Sequence, residues 1–244
     1  MLKFILIAVG VILLTIVLIK LVDKFVPNKI KPVLNIALWL LIAFLGYKTY
    51  MSIYEPIKFN KLKNERYAKV IESLIDIRDS QLAHRQVTGR FTNNFDNLVK
   101  FIDTAKFTLT QRRDSSVIDE EETKRYGVDT YKEIVIVDTL GYVPVKDSLF
   151  KNSQRYKTIM NVPGTNGKKF NLDAGFIEQN KLNIAVFEAS VKKSVILEDQ
   201  NRDLVIQENQ VVSVDGVNGD ALKVGAMDEV KTIGNWPKTY GTNE

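Results

Sequence analysis

Two apolar segments separated by a short, lysine-rich stretch occupy the first fifty residues of this 244-residue chain. Residues 4–19 contain no charged side chain, and the second segment has the core IALWLLIAFLG. A transmembrane helix needs about 20 predominantly apolar residues. The sequence therefore predicts that residues 1–54 anchor the chain in a membrane through two helices, at about 4–22 and 33–51.

A cleaved signal peptide is the main alternative for the first segment, because Lys3 precedes it. No small-x-small cleavage motif follows, and the segment ends in the charged residues Lys20, Asp23 and Lys24. An uncleaved anchor fits this pattern better. The connecting stretch VDKFVPNKIKP is short and contains two prolines, which predicts a tight helical hairpin with both of its ends on the same side of the membrane.

Lysines and tyrosines flank the apolar segments where a membrane interface is expected. Lysine extends its amine to the headgroups, and tyrosine places an amphipathic ring at the same depth. The predicted membrane-interface residues are Lys20, Lys24, Tyr47, Lys48 and Tyr50. The partner that they imply is the lipid bilayer. Neither span has an ionisable residue at its centre, so we expect anchoring and helix packing rather than ion transport.

The net charge of +5 belongs to the anchor. Residues 1–50 contain six lysines and one aspartate, whereas the rest of the chain carries 28 basic and 28 acidic side chains. A polar domain without net charge has no overall field that would attract a polyanion. Nucleic acid is therefore not an expected partner.

The polar domain, residues 55–244, begins with helical periodicity. Apolar side chains recur every three or four residues from Tyr67 to Leu82, which predicts an amphipathic helix over 60–86 that could continue from the second span. Gly89 ends this helix. A short second helix follows, and its candidate N-cap residues are Thr92, Asn93 and Asn94, with Asp96 in the first turn.

Beyond Lys106 the pattern changes to alternating and β-branched residues, which are typical of strands. The predicted strands are 107–111, 133–138, 142–145, 156–162, 169–177, 181–191, 211–215 and 221–225. The last four form two predicted hairpins, and a short helix is expected within residues 197–209, between them. Helices first and strands after indicate an α+β fold, in which the long and the short helix pack on a mainly antiparallel sheet.

Residues 69–102 resemble the start of the globular region of type IV pilins and type II secretion pseudopilins. The matching positions are Ile77, Arg78, Gln81, Leu82, Gly89, Phe91 and Leu98. The resemblance implies an antiparallel sheet packed on a long helix, outside the cytoplasm, within an envelope assembly. Pilins, however, have one span, a prepilin-peptidase site and a glutamate near the mature N-terminus. This chain has two predicted spans and no acidic residue between Asp23 and Glu55, so filament assembly by the pilin route is not expected.

The charges that flank the spans leave the membrane orientation open. The lysines of the connecting loop favour a cytoplasmic loop, while the cations after the second span favour the opposite arrangement. Together with the pilin-like stretch, the loop lysines predict an inner (cytoplasmic) membrane protein whose polar domain lies outside the cytoplasm.

Side chains suited to chemistry are few. The chain has no cysteine, so a thiolate site cannot form. Its single histidine, His84, lies in the predicted amphipathic helix, where we expect a surface or partly packed side chain and not a catalytic one. Acidic residues cluster between Asp114 and Asp129 without the spacing of an EF-hand, and the glycines of VPGTNGKK and DGVNGD lack the context of a phosphate-binding loop. We therefore predict no catalytic residue, no cofactor-binding residue and no metal ligand, and the protein is not expected to be an enzyme.

The sequence favours a non-enzymatic, membrane-anchored structural or assembly subunit of the bacterial cell envelope that acts through protein–protein contacts. The alternatives are an accessory component of a secretion or motility machine and a ligand-binding envelope sensor. Partners would then be other copies of the chain or a larger envelope complex. A homo-oligomer could form if the basic segment 58–69 of one copy met the acidic segment 114–129 of the next.

Overall fold

The computed structural model describes residues 30–240 together with positions 13, 15–17, 19, 20, 24 and 27. The chain divides into two compact units, Met1–Lys58 and Phe59–Glu244.

Helix α1 runs from Lys31 to Thr88 and is 58 residues long. It contains the predicted span 33–51 and the predicted amphipathic helix 60–86, which are thus continuous in one element. Among the described residues, α1 is the one helix long and apolar enough to cross a membrane. Thirteen of the nineteen residues of the other predicted span, 4–22, lie outside the described residues.

A buried glutamine holds the loop that follows α1. Gly89 has a φ of +81°, which ends the helix in the left-handed region that glycine adopts readily. The Gln81 side chain, fully buried, donates to the carbonyl of Thr92 at 2.6 Å and accepts from the backbone N–H of Thr92 at 3.1 Å. The second helix, α2, spans Phe95–Thr104. Asn94 is its N-cap, and its side chain accepts from the backbone N–H groups of Asp96 and Asn97. The short helix is confirmed, and Asn94 is the residue that caps it.

Three antiparallel strands form the main sheet: β3 (Asn171–Gln179), β4 (Leu182–Lys192) and β5 (Ala221–Ala226), in the order β3–β4–β5. Asn180 and Lys181 join β3 to β4 with φ values of +53° and +64°, a two-residue turn suited to the twist of a hairpin. The predicted hairpin is confirmed, with its turn displaced by one residue.

One hydrophobic core joins this sheet to α1 and α2. The apolar face of α1 contributes five side chains with at most 1% exposure, and Phe91 contacts Phe187 of β4 with 4.7 Å between ring centroids. The α1 residues are Tyr67, Val70, Ile71, Leu74 and Ile77. The sequence periodicity thus identified the face that is buried.

A separate two-stranded antiparallel ribbon consists of β1 (Lys106–Ile118) and β2 (Tyr131–Pro144). Its tip carries α3 (Glu120–Tyr126), which Asp119 caps. The predicted strand 107–111 is longer than expected, and the predicted strands 133–138 and 142–145 are one strand interrupted by a bulge at Leu140. The acidic cluster of the sequence lies at this tip.

Short elements complete the chain. They are α4 (Val145–Phe150), a 3-10 helix (Arg155–Thr158), α5 (Lys193–Ile196), α6 (Arg202–Asn209) and a second 3-10 helix (Lys238–Tyr240). The helix expected within 197–209 is present but starts later, where Asn201 caps it through the N–H of Asp203.

Two predicted strands are wrong. Residues 156–162 form the end of the 3-10 helix and a single bridge between Asn161 and Lys169, because Tyr156 and Ile159 reach the core at a three-residue spacing. Residues 211–215 form a turn in which the Asn218 side chain accepts from the N–H of Ser213 at 2.8 Å. The second predicted hairpin is therefore absent. β5 pairs with β4 on one edge, and residues 233–235 hydrogen-bond to its other edge.

Candidate interaction surface

The β1–β2 ribbon, residues 106–144, is the part of the polar domain that is least explained by its own packing. Every residue of both strands is exposed or half-buried. In water, an isolated two-stranded ribbon is marginally stable at best, and independent stability usually needs a third strand or a packed face. A ribbon of this length with no buried side chain is therefore a candidate for contact with another molecule.

One face of the ribbon exposes several large apolar side chains, with Glu133 and Thr139 between them on β2. Tyr131, Val135 and Val137 of β2 are 61%, 59% and 52% exposed. Beyond the bulge, Tyr142 continues this face with 66% exposure, and Ile118 of β1 lies opposite Tyr131. We call Ile118, Tyr131, Val135, Val137 and Tyr142 the apolar stripe. Large apolar residues that are grouped on one exposed face mark a candidate interaction site.

The opposite face combines apolar and charged residues. Ile134 and Ile136 are half-buried and lie opposite Ser115 and Arg113 of β1. The Arg113 guanidinium lies 3.1 Å from an Asp138 carboxylate oxygen, across the two strands. Both members are exposed, so the pair contributes little to folding.

Both long edges of the ribbon are free. Within residues 30–240, β1 and β2 pair with each other and with no third strand. A free edge presents unpaired N–H and C=O groups, which is a template for another strand. The bulge at Leu140 bends β2 and divides it into a regular segment, Tyr131–Thr139, and a short continuation near the core.

The second candidate is a buried cluster of charges beside a cavity of about 760 Å³. Lys193 is completely buried, and its amine donates to the backbone carbonyls of Glu208 and Val217, each at 2.7 Å. The amine also lies 3.3 Å from the Glu208 carboxylate, which pairs on its other oxygen with Lys63 at 2.8 Å. The three N–H bonds of the Lys193 amine therefore all have acceptors, and this lysine holds α6 and the following loop against the end of β4.

The electrostatics of this cluster follow from its burial. Burial lowers the pKa of Lys193, and the adjacent Glu208 carboxylate opposes that change. Burial, with Glu208 next, raises the pKa of Tyr67 and of Tyr240 above the usual value for tyrosine. Both hydroxyls already take part in hydrogen bonds, to Glu208 at 3.4 Å and to Asn64 at 2.6 Å. The arrangement is a satisfied structural network.

Other polar residues singled out in the sequence have structural contacts. The Nδ1 of His84 is 2.6 Å from the carbonyl of Arg90, and its ring packs edge-on against Phe101. Lys63 and Arg66 of the basic segment pair with Glu208 and Asp199 of the same chain. Across the part of the chain that the structure describes, no three His, Cys, Asp or Glu side chains are placed to hold a metal ion.

The predicted membrane-interface residues are exposed. Tyr47, Lys48 and Tyr50 lie in α1, and Tyr50 stacks on Tyr54 with 5.6 Å between centroids. Lys20 and Lys24 are helical and exposed, in a stretch where most neighbouring residues are outside the described set.

Sequence reasoning missed the ribbon as a candidate site. Its strands were recognised as short, separate pieces, because the two-residue alternation of β2 is interrupted at Leu140 and Gly141. An insertion of one residue in an otherwise continuous alternation is the signal that would have joined the pieces. The free edges follow from the order of the strands in the sheets, and this order cannot be predicted from a local sequence pattern.

Neither a family model, nor a curated protein, nor a solved structure matches this sequence. The resemblance of residues 69–102 to type IV pilins and pseudopilins therefore stays a prediction.

Proposed function

We propose that this protein is a non-enzymatic, membrane-anchored assembly subunit of the bacterial cell envelope, and that its β1–β2 ribbon makes the contacts with its partners. The apolar part of α1 and the predicted span 4–22 anchor it in the inner membrane. The polar domain lies outside the cytoplasm, as the pilin-like stretch implies.

The observation that supports this function is the exposed ribbon. It carries an apolar stripe, two free strand edges and no buried residue, next to a domain whose core is complete without it. The buried cluster of Lys193, Glu208 and Lys63 offers no comparable alternative, because the Lys193 amine and the Glu208 carboxylate already have partners.

A ligand-binding envelope sensor is the second candidate, favoured by the cavity beside Tyr67, Lys63 and Tyr240. A ligand there would have to compete with the Lys63–Glu208 ion pair for its polar contacts. An accessory role in a secretion or motility machine is a special case of the main proposal, in which the ribbon contacts a component of that machine.

Photo-crosslinking in living cells tests the proposal. A crosslinking amino acid at Tyr142, on the apolar stripe, should yield protein adducts. The same amino acid at Ile206, an exposed position of α6, serves as the matched control. Equal adduct yields at the two positions, or none at Tyr142, would contradict a partner-binding ribbon.

A ribbon deletion provides a second arm. The ribbon enters and leaves the domain at adjacent points, since the N–H of Val145 donates to the carbonyl of Ala105 at 3.0 Å. Replacing residues 107–143 with a short glycine linker should leave the protein in the alkali-extracted membrane pellet and abolish partner capture. A reporter fused after Glu244 that is active in the cytoplasm would contradict the orientation.

A further inference from the structure

We propose that two copies of this chain pair through the free edge of β2, so that the two ribbons form one four-stranded antiparallel sheet in the order β1–β2–β2–β1. The segment that pairs is Tyr131–Thr139, centred on Val135. This inference rests on the proposed function, because it names a second copy of the chain as the partner that the ribbon binds.

The limits of the regular strand define the centre of the pairing. β2 begins at Tyr131, and its regular register with β1 continues to Thr139, where the bulge at Leu140 interrupts it. Two such segments that run in opposite directions overlap completely when Val135 of one copy lies opposite Val135 of the other. A two-fold axis perpendicular to the sheet relates them, which is the usual symmetry of a homodimer.

Most side chains of the segment are self-complementary in this register, and the exception is Glu133, which lies opposite Val137. Lys132 lies opposite Asp138 of the second copy, and the two-fold axis repeats this opposite-charge pair. Ile134 lies opposite Ile136 twice in the same way, on the same face of the sheet. Opposite charges and apolar residues facing each other across antiparallel strands each contribute about 0.2–1 kcal/mol.

The neighbouring registers lack these opposite-charge pairs. Antiparallel pairing must keep each side chain on its own face, so the centre moves one residue at a time along β2. Centring on Ile136 places Asp138 opposite Ile134, and centring on Ile134 places Lys132 opposite Ile136. In both cases the two Lys132–Asp138 pairs are lost. These pairs distinguish the Val135-centred register, since each of the three registers also places a charged residue opposite an apolar one.

The edge of β1 lacks this property. Its regular segment, Thr110–Ile118, is equally long but is centred on Asp114. Full overlap of two copies would place Asp114 opposite Asp114, and like charges directly opposite each other destabilise a strand pair. The free edge of β2 is therefore the one suited to a second copy.

Disulfide crosslinking tests the register, because the chain contains no cysteine of its own. Val135→Cys places the introduced thiols opposite each other across the two-fold axis, within the Cα separation of about 4.4–6.8 Å that a disulfide needs. Val137→Cys is the matched control, on the same face and similarly exposed. In the proposed register its two thiols are four residues apart along the strands, about 14 Å. In isolated membranes of the full-length protein, mild oxidation should give at least about tenfold more disulfide-linked dimer for Val135→Cys than for Val137→Cys.

Charge exchange tests the paired ions independently. In the Val135→Cys background, Lys132→Asp alone and Asp138→Lys alone each create two like-charge pairs in the homodimer and should lower crosslinking several-fold. Coexpression of the two variants with different tags should restore it, because each mixed dimer contains two opposite-charge pairs. Effects inside one chain, such as loss of the Arg113–Asp138 contact, are the same whether a variant is expressed alone or coexpressed with the other. They therefore cancel when the two samples are compared.

The outcomes separate this inference from the function on which it rests. Equal crosslinking at positions 135 and 137, no crosslinking at 135, or no recovery in the mixture would overturn β2 pairing. If Tyr142 still captured another protein in cells, the assembly function would stand with a different partner. Adducts at Tyr142 with the same chain and with no other protein, together with a positive Val135→Cys result, would instead limit the ribbon to self-association.

Discussion

The two sheets of the polar domain contain strands of similar apolar composition, but these strands differ in burial. β4 in the main sheet contains Ala185, Val186 and Phe187, three successive buried residues, so both of its faces are covered by the rest of the fold. β2 in the ribbon contains Ile134, Val135, Ile136 and Val137, and none of them is buried. Both strands contain apolar and β-branched residues, but only β4 packs against other parts of its own chain.

This difference shows that apolar composition alone does not distinguish a core strand from an interface strand. The stability of β4 comes from removing its side chains from water, at about 25 cal/mol per Å² of apolar surface. The apolar side chains of β2 gain little by folding, and their burial is available for association. A substitution in β4 should therefore change folding, while the corresponding substitution in β2 should change assembly.

The largest expected effect is the loss of an aromatic ring from β4. Phe187→Ala removes a completely buried side chain that contacts Phe91 and should lower the free energy of unfolding by about 3–5 kcal/mol. Tyr142→Ala on β2 removes a ring that is 66% exposed and should change it by less than about 0.5 kcal/mol. Thermal unfolding of the detergent-solubilised protein, followed by circular dichroism, measures both. Comparable losses would contradict the distinction between the two sheets.

A smaller effect is expected for a buried hydrogen-bonding side chain. Gln81→Ala deletes two hydrogen bonds to the backbone of Thr92 and leaves a part-buried N–H and C=O without that partner. The expected loss is about 1–3 kcal/mol. Gln111→Ala, in the exposed strand β1, is the matched control and should be close to neutral. Faster amide exchange in residues 89–94 of the Gln81 variant would locate the damage in the loop that Gln81 holds.

The sequence was informative where structure is determined locally. The periodicity from Tyr67 to Leu82 predicted the buried face of α1, and the polar residues before Phe95 predicted a helix start that Asn94 caps. The hairpin of β3 and β4 was likewise readable from two alternating runs separated by a short polar turn. These features depend on residues close together in the chain.

Features that depend on residues far apart in the chain, such as strand pairing, could not be predicted from local sequence patterns. Residues 211–215 have the composition of a strand, but Val212 and Val214 are 90% and 91% exposed, because the outer edge of β5 is occupied by residues 233–235. The predicted membrane-interface residues follow from local composition, whereas the ribbon's free edges follow from strand order. The candidate interaction surface could therefore be found only after the topology was known.

The smallest predicted effect concerns an exposed ion pair on the surface of the packed region. Its contribution to the free energy of unfolding depends on how far the pair is buried, and not on which part of the domain carries it. Arg66 donates from both terminal nitrogens to the carboxylate of Asp199, one bond being 2.8 Å long, and this contact holds the pKa of Asp199 well below its usual value. The Asp199 side chain is 60% exposed, so solvent screens the pair. Asp199→Asn should therefore lower the free energy of unfolding at pH 7 by less than about 1 kcal/mol, as for exposed pairs in the ribbon.

The pH dependence of this effect has a definite sign. A carboxylate whose pKa is lower in the folded state stabilises the fold above its unfolded-state pKa of 3.8, and that contribution is lost as the pH falls through the folded-state value. The difference between the wild-type protein and the Asp199→Asn variant should thus be constant from pH 7 to about pH 5 and shrink below about pH 4. Urea unfolding at a series of pH values measures it, with the neighbouring exposed Glu198→Gln as control. A difference that grew on acidification would contradict the assigned pair, because protonation of Asp199 can only weaken its bond to Arg66.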